Sequence, residues 1–370
     1  MNRLRVAVVM PPATDLLPDA ALDLWPSFTK ALEALNARGD VDPIGCCRTA
    51  SEPAVVVRNG VEYYFEPDDR RLAQRVAGLH PAVVHIHGLG FTRLLMAVRR
   101  AVGRRVPILM QHHGEPPPAA LRTRIAQRMA RRVVDGYMFT GADAQAEPFR
   151  RTGVIGPTAP VYEVLESASH LATQVASQVA SQVEGDDSTV LPELGGSPCV
   201  LWVGRLIASK DPVCAVRAIA VARSHGSQAQ LHMLATERSM EPEVRRSIDS
   251  LGLNDIVHLH RAVAHAEMAG WYRRADVYLS TSHREGSNYS LIEALGFGCR
   301  PVVTDIPSHA AIVKELAKTF AVGDADGAGA LLATPSAIRR EQIRYHAQRN
   351  LSWVAVADQL TRAYRRNRRS

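Results

Sequence analysis

The sequence predicts an α/β protein made of two domains, each built around a parallel β-sheet. Short apolar, β-branched runs alternate with amphipathic helical segments along most of the 370 residues, and this alternation favours a doubly wound sheet. The alternation restarts at PCVLWVG (198–204), and a chain of this length exceeds one ordinary hydrophobic core. We therefore expect two Rossmann-like domains with the ligand site in the cleft between them.

The first half supplies an N-terminal domain, which we predict to span residues 1–167. A helix is predicted over 25–38, where apolar residues recur at helical spacing. The dipeptide Asn59-Gly60 is the preferred two-residue turn of a β-hairpin. Four further segments are predicted strands: RVAVVM (5–10), AVVHIHG (82–88), VPILMQHHG (106–114) and DGYMFTG (135–141).

The second half repeats the pattern in a domain predicted over 198–345, followed by a C-terminal helix and basic tail over 346–370. Its predicted strands are PCVLWVG, AQLHML, IVHLH, ADVYLS and RPVVTD. Residues 168–197 contain a repeated QVAS unit and a Gly/Asp/Ser/Pro-rich stretch, which is typical of a tether. We interpret them as a linker with a short helix, with a functional lid as the alternative.

Composition limits the classes of partner. The net charge of +7 favours anionic partners such as phosphates, nucleotides or a membrane surface. Nucleic acid is disfavoured because aromatic residues are only 5% and no zinc-finger or RNP-like motif is found. Five cysteines without a C-x-x-C pair fit reduced thiols, and no apolar run reaches the roughly 20 residues of a membrane span. We expect a cytoplasmic protein.

A cation-bearing loop follows the first strand of the second domain. In VGRLIASKDP (203–212), Gly204 ends the strand, and Arg205 and Lys210 lie in the loop. Asp211 and Pro212 have the residue types of an N-cap and a first-turn proline. Two cations near a helix N-terminus predict an anion site, with two solvated surface charges as the alternative.

A second anion-binding turn is predicted in REGSNYSLIEALGFG (284–298). Glu285 precedes a Gly-Ser-Asn turn whose backbone amides can bind an anion, and Glu293 lies in the helix that follows. Because Ser290 and Glu293 also fit a capping box, Glu293 could instead satisfy the helix end. A glycoside hydrolase, which also uses two carboxylates, is disfavoured. Its carboxylates must flank the sugar, whereas Glu285 and Glu293 both approach from one domain.

These two segments together resemble the donor half of the GT-B retaining glycosyltransferases of the family-four group. The resemblance covers roughly residues 198–320 and consists of the G-R…K element, the E-x7-E pair and the trailing E-A-x-x-x-G, with weaker support from HIHG and QHHG. It implies that the last helix crosses back to the first domain. It also implies that neither a cofactor nor a metal is used.

The resemblance assigns roles to matching positions. Arg205 and Lys210 would bind the nucleotide diphosphate, Glu285 the hydroxyls of the sugar, and Glu293 the ribose, which suits an acceptor-only carboxylate. His113 would approach the sugar and the acceptor, with His87 and His112 as further acceptor-side candidates. The remaining donor-binding candidates lie beside these residues: Gly204, Gly286, Ser287, Asn288, Tyr289 and Ser290.

The implied activity moves a hexosyl group from a UDP-, GDP- or ADP-sugar to an acceptor hydroxyl, with retention and without a metal. A GT-B nucleotide-sugar epimerase and a non-catalytic nucleotide-binding relative remain alternatives. Three departures leave the base and the acceptor open: the loop MPPATDLLPD, the pair Ala235-Thr236, and Arg261 in place of glycine.

Two arginine-rich segments stand apart from this site. Residues 122–132 carry five arginines and no acid, beside the apolar stripe Leu121, Ile125 and Met129, and the C-terminal tail carries five more arginines. A basic amphipathic helix can lie on anionic lipid, which would place the protein at the inner face of a membrane. The favoured interpretation is a packed helix with a solvated basic face.

Overall fold

A computed structural model of the chain describes residues 3–24, 26–49, 52–168 and 194–367. The chain divides into two compact units: the first is Met1–Glu166 with Trp353–Ser370, and the second is Ser167–Ser352. Each unit has its own parallel sheet and its own buried core, which confirms the predicted fold class. Residues 169–193 of the predicted linker lie outside the described residues.

The first unit contains an eight-stranded sheet in the order β3-β4-β2-β1-β5-β6-β7-β8. Only the β3–β4 hairpin is antiparallel, and it turns at Asn59 and Gly60, which both have positive φ, as a type I′ turn requires. Two strands, β2 and β8, were not predicted. The strands are β1 (Leu4–Val9), β2 (Val41–Arg48), β3 (Ala54–Arg58), β4 (Val61–Glu66), β5 (Val83–His87), β6 (Ile108–Gln111), β7 (Gly136–Phe139) and β8 (Val161–Glu163).

In the described part of the chain, six helices and the C-terminal helix belong to this unit. The C-terminal helix, α14 (Trp353–Asn367), buries Val356, Leu360 and Tyr364 in the core of the first unit, so the prediction that the last helix returns to the first domain is confirmed. The others are α1 (Pro18–Leu24), α2 (Pro26–Ala37), α3 (Asp69–Gly78), α4 (Thr92–Val102), α5 (Leu121–Ala130) and α6 (Ala142–Arg151).

The second unit contains a five-stranded, fully parallel sheet in the order β11-β10-β9-β12-β13. All five strands were predicted: β9 (Cys199–Gly204), β10 (Gln230–Ala235), β11 (Val257–Arg261), β12 (Val277–Ser280) and β13 (Arg300–Val303). Its helices are α7 (Pro212–Ser224), α8 (Glu241–Ser250), α9 (Met268–Arg274), α10 (Tyr289–Gly296), α11 (Pro307–Val313), α12 (Ala325–Ala333) and α13 (Arg340–Leu351).

The basic helix α5 differs from the favoured interpretation. Its apolar stripe does not pack, because Leu121, Ile125 and Met129 are 67%, 49% and 67% exposed. The helix instead buries Gln127 and Ala130, which lie on another face of the helix because of its 3.6-residue period. None of the helices in the described part of the chain is long and apolar enough to cross a bilayer.

Candidate donor site and histidine cluster

The two predicted anion-binding segments lie at one edge of the second sheet. The loop carrying Arg205 and Lys210 follows β9, and the turn carrying Glu285 follows β12. These strands are parallel neighbours, so their carboxyl ends, and the segments that follow them, lie together. This is the edge at which open α/β sheets bind ligands.

Lys210 and Glu285 form an ion pair between Lys210 Nζ and Glu285 Oε1. The side chains are only 19% and 11% exposed. Ser282 Oγ donates a second hydrogen bond to Glu285 Oε1 at 2.6 Å. The structure therefore brings together two candidates that are 75 positions apart in the sequence, and both are held in a half-buried setting.

The cation loop is fixed by its own cap and by β12. Asp211 has left-handed φ and ψ of 44° and 59°, and its side chain accepts from the Cys214 amide at the start of α7, as the sequence predicts. The Thr281 hydroxyl lies 2.8 Å from the carbonyl oxygens of both Lys210 and Asp211. These contacts hold the backbone of Lys210 against the end of the neighbouring strand.

Asn288 organises the turn that precedes α10. It has a left-handed backbone, and its Oδ1 accepts from the Leu291 amide as the N-cap of the helix. Its Nδ2 donates to Nε2 of the buried His309 at 2.9 Å. Burial lowers the pKa of His309 to about 4, so the ring is neutral near pH 7. The turn is therefore tied to α11 by a hydrogen bond that requires a neutral histidine.

Glu293 does not cap its helix. Its Oε1 accepts from His265 Nε2 at 2.8 Å and its Oε2 from the Tyr272 hydroxyl at 2.9 Å. The capping-box alternative is therefore wrong, because Asn288 is the N-cap and the Glu293 carboxylate turns toward residues that follow β11. The hydrogen bond to Glu293 raises the pKa of His265. A buried carboxylate held by two donors still has lone pairs to accept further bonds.

Arg205 is placed differently from Lys210. Its side chain is 55% exposed, and it forms a 3.7 Å ion pair with Glu237, which is itself 51% exposed. Gly204, the residue before it, lies against the Trp202 ring, where an added Cβ would come within 3.2 Å of the indole. The two predicted phosphate-binding cations thus occupy different settings: Lys210 is half-buried and paired with Glu285, whereas Arg205 extends into solvent.

The histidines of the first unit form a cluster at the carboxyl ends of β5 and β6. His113 Nδ1 lies 2.6 Å from Glu166 Oε1, and its Nε2 lies 2.8 Å from His87 Nδ1. Burial lowers the pKa of His113, but the Glu166 carboxylate beside it and the nearby Glu115 together raise the pKa above its ordinary value. Burial keeps the pKa of His87 well below the ordinary value. The His113 ring is thus held between the Glu166 carboxylate and the His87 ring.

His112 and His85 are held by structural contacts. His112 Nε2 lies 2.9 Å from the Glu115 carbonyl oxygen, and its ring stacks on Phe139 with centroids 4.7 Å apart. His85 Nδ1 bonds the Tyr364 hydroxyl of α14 at 2.9 Å. Sequence reasoning identified His113 as a candidate but missed its partner Glu166. It also missed His265, Tyr272 and His309, which contact the residues of the donor site. These partners lie outside the family motif, and only the folded chain brings them to the site.

Comparison with known proteins finds a family similarity in the second unit. The family model described as "Glycosyl transferases group 1" matches residues 197–335. The described residues contain no group of three side chains that could hold a metal ion.

Two curated relatives align with part of the chain. A D-inositol 3-phosphate glycosyltransferase of Arthrobacter sp. (strain FB24) is 30% identical over 110 residues, which is 29% of this chain and 26% of that protein. A GDP-mannose:cellobiosyl-diphosphopolyprenol alpha-mannosyltransferase of Xanthomonas campestris is 22% identical over 239 residues, which is 63% of this chain and 58% of that protein. The alignments therefore span less than two thirds of these relatives.

The fold is shared over the full length with solved structures. An alpha,alpha-trehalose 6-phosphate synthase from Burkholderia multivorans superposes with a TM-score of 0.66 at 15% identity, covering 99% of both chains. The chain is therefore similar to group 1 glycosyltransferases over residues 197–335, and it shares the GT-B fold with this synthase over its full length.

Proposed function

We propose that the protein transfers a hexosyl group from a nucleoside-diphosphate sugar to an acceptor hydroxyl, with retention at the anomeric carbon and without a metal ion. The observation that carries the proposal is the Lys210–Glu285 pair. It joins a cation to a carboxylate at the sheet edge where ligands bind in this kind of fold. The group 1 match over residues 197–335 and the GDP-mannose donor named for the Xanthomonas relative support a nucleotide-sugar donor.

Lys210 is the residue proposed to hold the diphosphate. An ammonium group has three donors, so Lys210 can keep its bond to Glu285 and still donate to phosphate oxygens. Negative charge builds up on the leaving diphosphate during transfer, and a preorganised cation lowers the barrier by stabilising that charge. In this role Lys210, assisted by the exposed Arg205, replaces the divalent ion that other transferases use.

The two glutamates have separate proposed roles. Glu285 accepts hydrogen bonds from sugar hydroxyls, because it pairs with Lys210, the cation proposed to bind the diphosphate. It also directly precedes the turn of Gly286, Ser287 and Asn288. Glu293 accepts from the ribose hydroxyls, because its buried carboxylate already lies among donors that fix its orientation. The amides of Ser287, Asn288 and Tyr289 are assigned to the sugar or phosphate by family resemblance.

His113 has the proposed role of contacting the sugar and the acceptor. Its ring is fixed on both sides, by Glu166 at Nδ1 and by His87 at Nε2. Glu166 orients the ring through its contact with Nδ1 and is therefore a positioning residue. His112, with its ring bonded to the Glu115 carbonyl, supports the same segment and is not assigned a contact with substrate.

The test is a binding and turnover screen of the full chain. UDP, GDP and ADP and their hexose conjugates are titrated by calorimetry, and anomeric retention is read from product NMR in the presence of EDTA. We expect one nucleotide to bind with a Kd at least tenfold below the others. Lys210→Met should weaken that binding, whereas Lys318→Met, which removes an exposed lysine of the same unit, should not.

Other outcomes of this screen identify the alternatives. Isomerisation of the donor sugar without an acceptor would indicate an epimerase. Nucleotide binding without turnover across an acceptor panel would indicate a non-catalytic relative. Turnover that EDTA abolishes and Mg²⁺ restores would contradict metal independence, and inversion at the anomeric carbon would contradict retention.

A peripheral membrane contact through α5 also forms part of the proposal. The exposed stripe of Leu121, Ile125 and Met129 lies on a helix whose segment, residues 122–132, carries five arginines and no acidic residue. Apolar side chains beside a dense positive charge match the surface of an anionic bilayer. The acceptor could then be presented at that surface.

A further inference from the structure

The first unit contains a cavity that none of the assigned residues uses. It has a volume of about 530 Å³, which lies within the range of ordinary small-molecule sites. Its walls include Pro12 after β1, Arg48 at the end of β2 and Gly90 after β5. In the sheet β1 lies between β2 and β5, so the cavity opens at the point where the strand order reverses. Open α/β sheets bind ligands at this switch point.

The lining of the cavity is strongly positive. Arg48, Arg93 and Arg122 reach it from three different elements, and Asp69 is the one carboxylate among its lining residues. Asp69 pairs with Arg48 Nη1 at 2.7 Å, which leaves two cationic charges in excess. The Arg48 Nε atom is buried and has no hydrogen-bond partner in the described part of the chain. Guanidinium groups converging from several sides match the oxygens of a phosphate group.

The N-termini of two helices add to the positive potential of the cavity. Thr92, Arg93 and Leu94 at the start of α4, and Arg122 and Thr123 at the start of α5, all line the cavity. The residues that precede these helices, Phe91 and Ala120, provide no side-chain cap. The first amides of a helix lack intrahelical partners and favour an anion. The helix termini therefore act together with the arginines.

We propose that this cavity binds a phosphate group of the acceptor, through Arg48, Arg93 and Arg122. The inference rests on the proposed function, because it assigns the chemical class of the acceptor. The cavity belongs to the first unit, whereas Lys210, Glu285 and Glu293 belong to the second, so the two anion sites can be tested separately. A phosphate monoester in solution and a lipid headgroup share the chemistry that the arginines recognise.

The test compares two double variants of the full chain. Arg93→Gln/Arg122→Gln removes two exposed cavity arginines, and Arg100→Gln/Arg151→Gln removes two exposed arginines of the same unit outside the cavity. Both lower the net charge by the same amount. The soluble probe is glycerol 1-phosphate, titrated by calorimetry. The lipid probe is a vesicle containing phosphatidic acid, compared with phosphatidylglycerol vesicles of equal surface charge.

We expect the cavity variant to weaken binding of the phosphate monoester at least tenfold in one arm, while the control variant binds within twofold of wild type. Loss in the calorimetric arm identifies a soluble acceptor, and a lost preference for phosphatidic acid vesicles identifies a lipid. Equal binding by wild type and the cavity variant in both arms would overturn the inference, as would equal weakening by the control variant.

Nucleotide binding is the independent readout. The cavity variant should bind the nucleoside diphosphate as wild type does, and Lys210→Met should bind the phosphate monoester as wild type does. If the cavity variant loses monoester binding while no nucleotide binds to wild type, the proposed function fails, and the cavity stands as a phosphate site without an acceptor assigned to it. If nucleotide binds and turns over but the monoester does not bind, only the cavity assignment fails.

Discussion

Replacing Lys210 by methionine tests whether this residue binds phosphate or only neutralises Glu285. Methionine keeps most of the apolar stem of the side chain and removes its charge. Lys210 and Glu285 are 19% and 11% exposed, which places the pair between a surface ion pair, worth about 0–1 kcal/mol, and a fully buried one, whose disruption costs about 3–5 kcal/mol. We therefore expect a stability loss of about 1–3 kcal/mol, measured by urea unfolding.

The same substitution should also weaken nucleotide binding. A hydrogen bond to a charged group contributes about 1.5–3 kcal/mol, so Lys210→Met should weaken nucleoside-diphosphate binding by about 10- to 150-fold. The nucleoside without phosphates should bind equally to the variant and to wild type. Isothermal titration calorimetry with the nucleoside diphosphate and with the nucleoside measures the two Kd values.

A second substitution distinguishes a binding role from a structural one. In Lys210→Met/Glu285→Gln the orphaned carboxylate becomes a neutral amide, which can still accept from the Ser282 hydroxyl. Stability should then recover by about 1–2 kcal/mol, because no unpaired charge is left in the half-buried site. Diphosphate affinity should stay low. Recovered affinity in the double variant, or unchanged affinity in Lys210→Met, would refute the assignment of Lys210 to the diphosphate.

Three further predictions concern other parts of the molecule. Glu293→Gln should reduce the preference for a ribonucleotide over its 2′-deoxy analogue by about tenfold, because a charge-assisted hydrogen bond is lost; an unchanged ratio of the two Kd values would contradict the ribose assignment. Burial lowers the pKa of His309 to about 4. The free energy of unfolding should therefore be unaffected by this group above about pH 6.5 and fall by about 3 kcal/mol as the pH drops to about 4, because the unfolded chain binds a proton that the buried ring does not. In urea unfolding across this range, the free energy of unfolding of His309→Gln should fall by correspondingly less. Replacing Leu121, Ile125 and Met129 together by serine should reduce cosedimentation with anionic vesicles at least fivefold without lowering the unfolding midpoint, and equal sedimentation would exclude the α5 contact.

Most of the fold follows from local patterns in the sequence. Apolar β-branched runs identify all five strands of the second sheet, and Asn59-Gly60 identifies the hairpin. Strand β2 was missed because Pro43 and Gly45 lower the strand propensity of its sequence. The structure explains Gly45, since a Cβ at this position would collide with the Tyr63 ring. That contact comes from a neighbouring strand and has no local signature.

The sequence predicted that Lys210, Glu285 and Glu293 follow strands of one sheet, and the structure places them there. Their assignment to a sugar donor came from the family resemblance and stays a prediction. The apolar stripe of α5 was misassigned because a period of 3.6 residues reveals that a face exists, without showing whether another element covers it. Partners such as Glu166 come from segments far along the chain, so only the tertiary structure shows that they restrain His113.

The contacts of the two glutamates favour a hydrogen-bonding role over an acid/base role. General acid catalysis needs a carboxyl group that holds a proton to donate, and general base catalysis needs one placed to accept a proton from a reacting group. Glu285 instead faces the ammonium group of Lys210 and the Ser282 hydroxyl. Glu293 faces the His265 ring and the Tyr272 hydroxyl. The carboxylate oxygens of both residues accept hydrogen bonds from these neighbours. In the proposed function these acceptors bind the hydroxyls of a sugar and a ribose, and Lys210 stabilises the charge of the transition state.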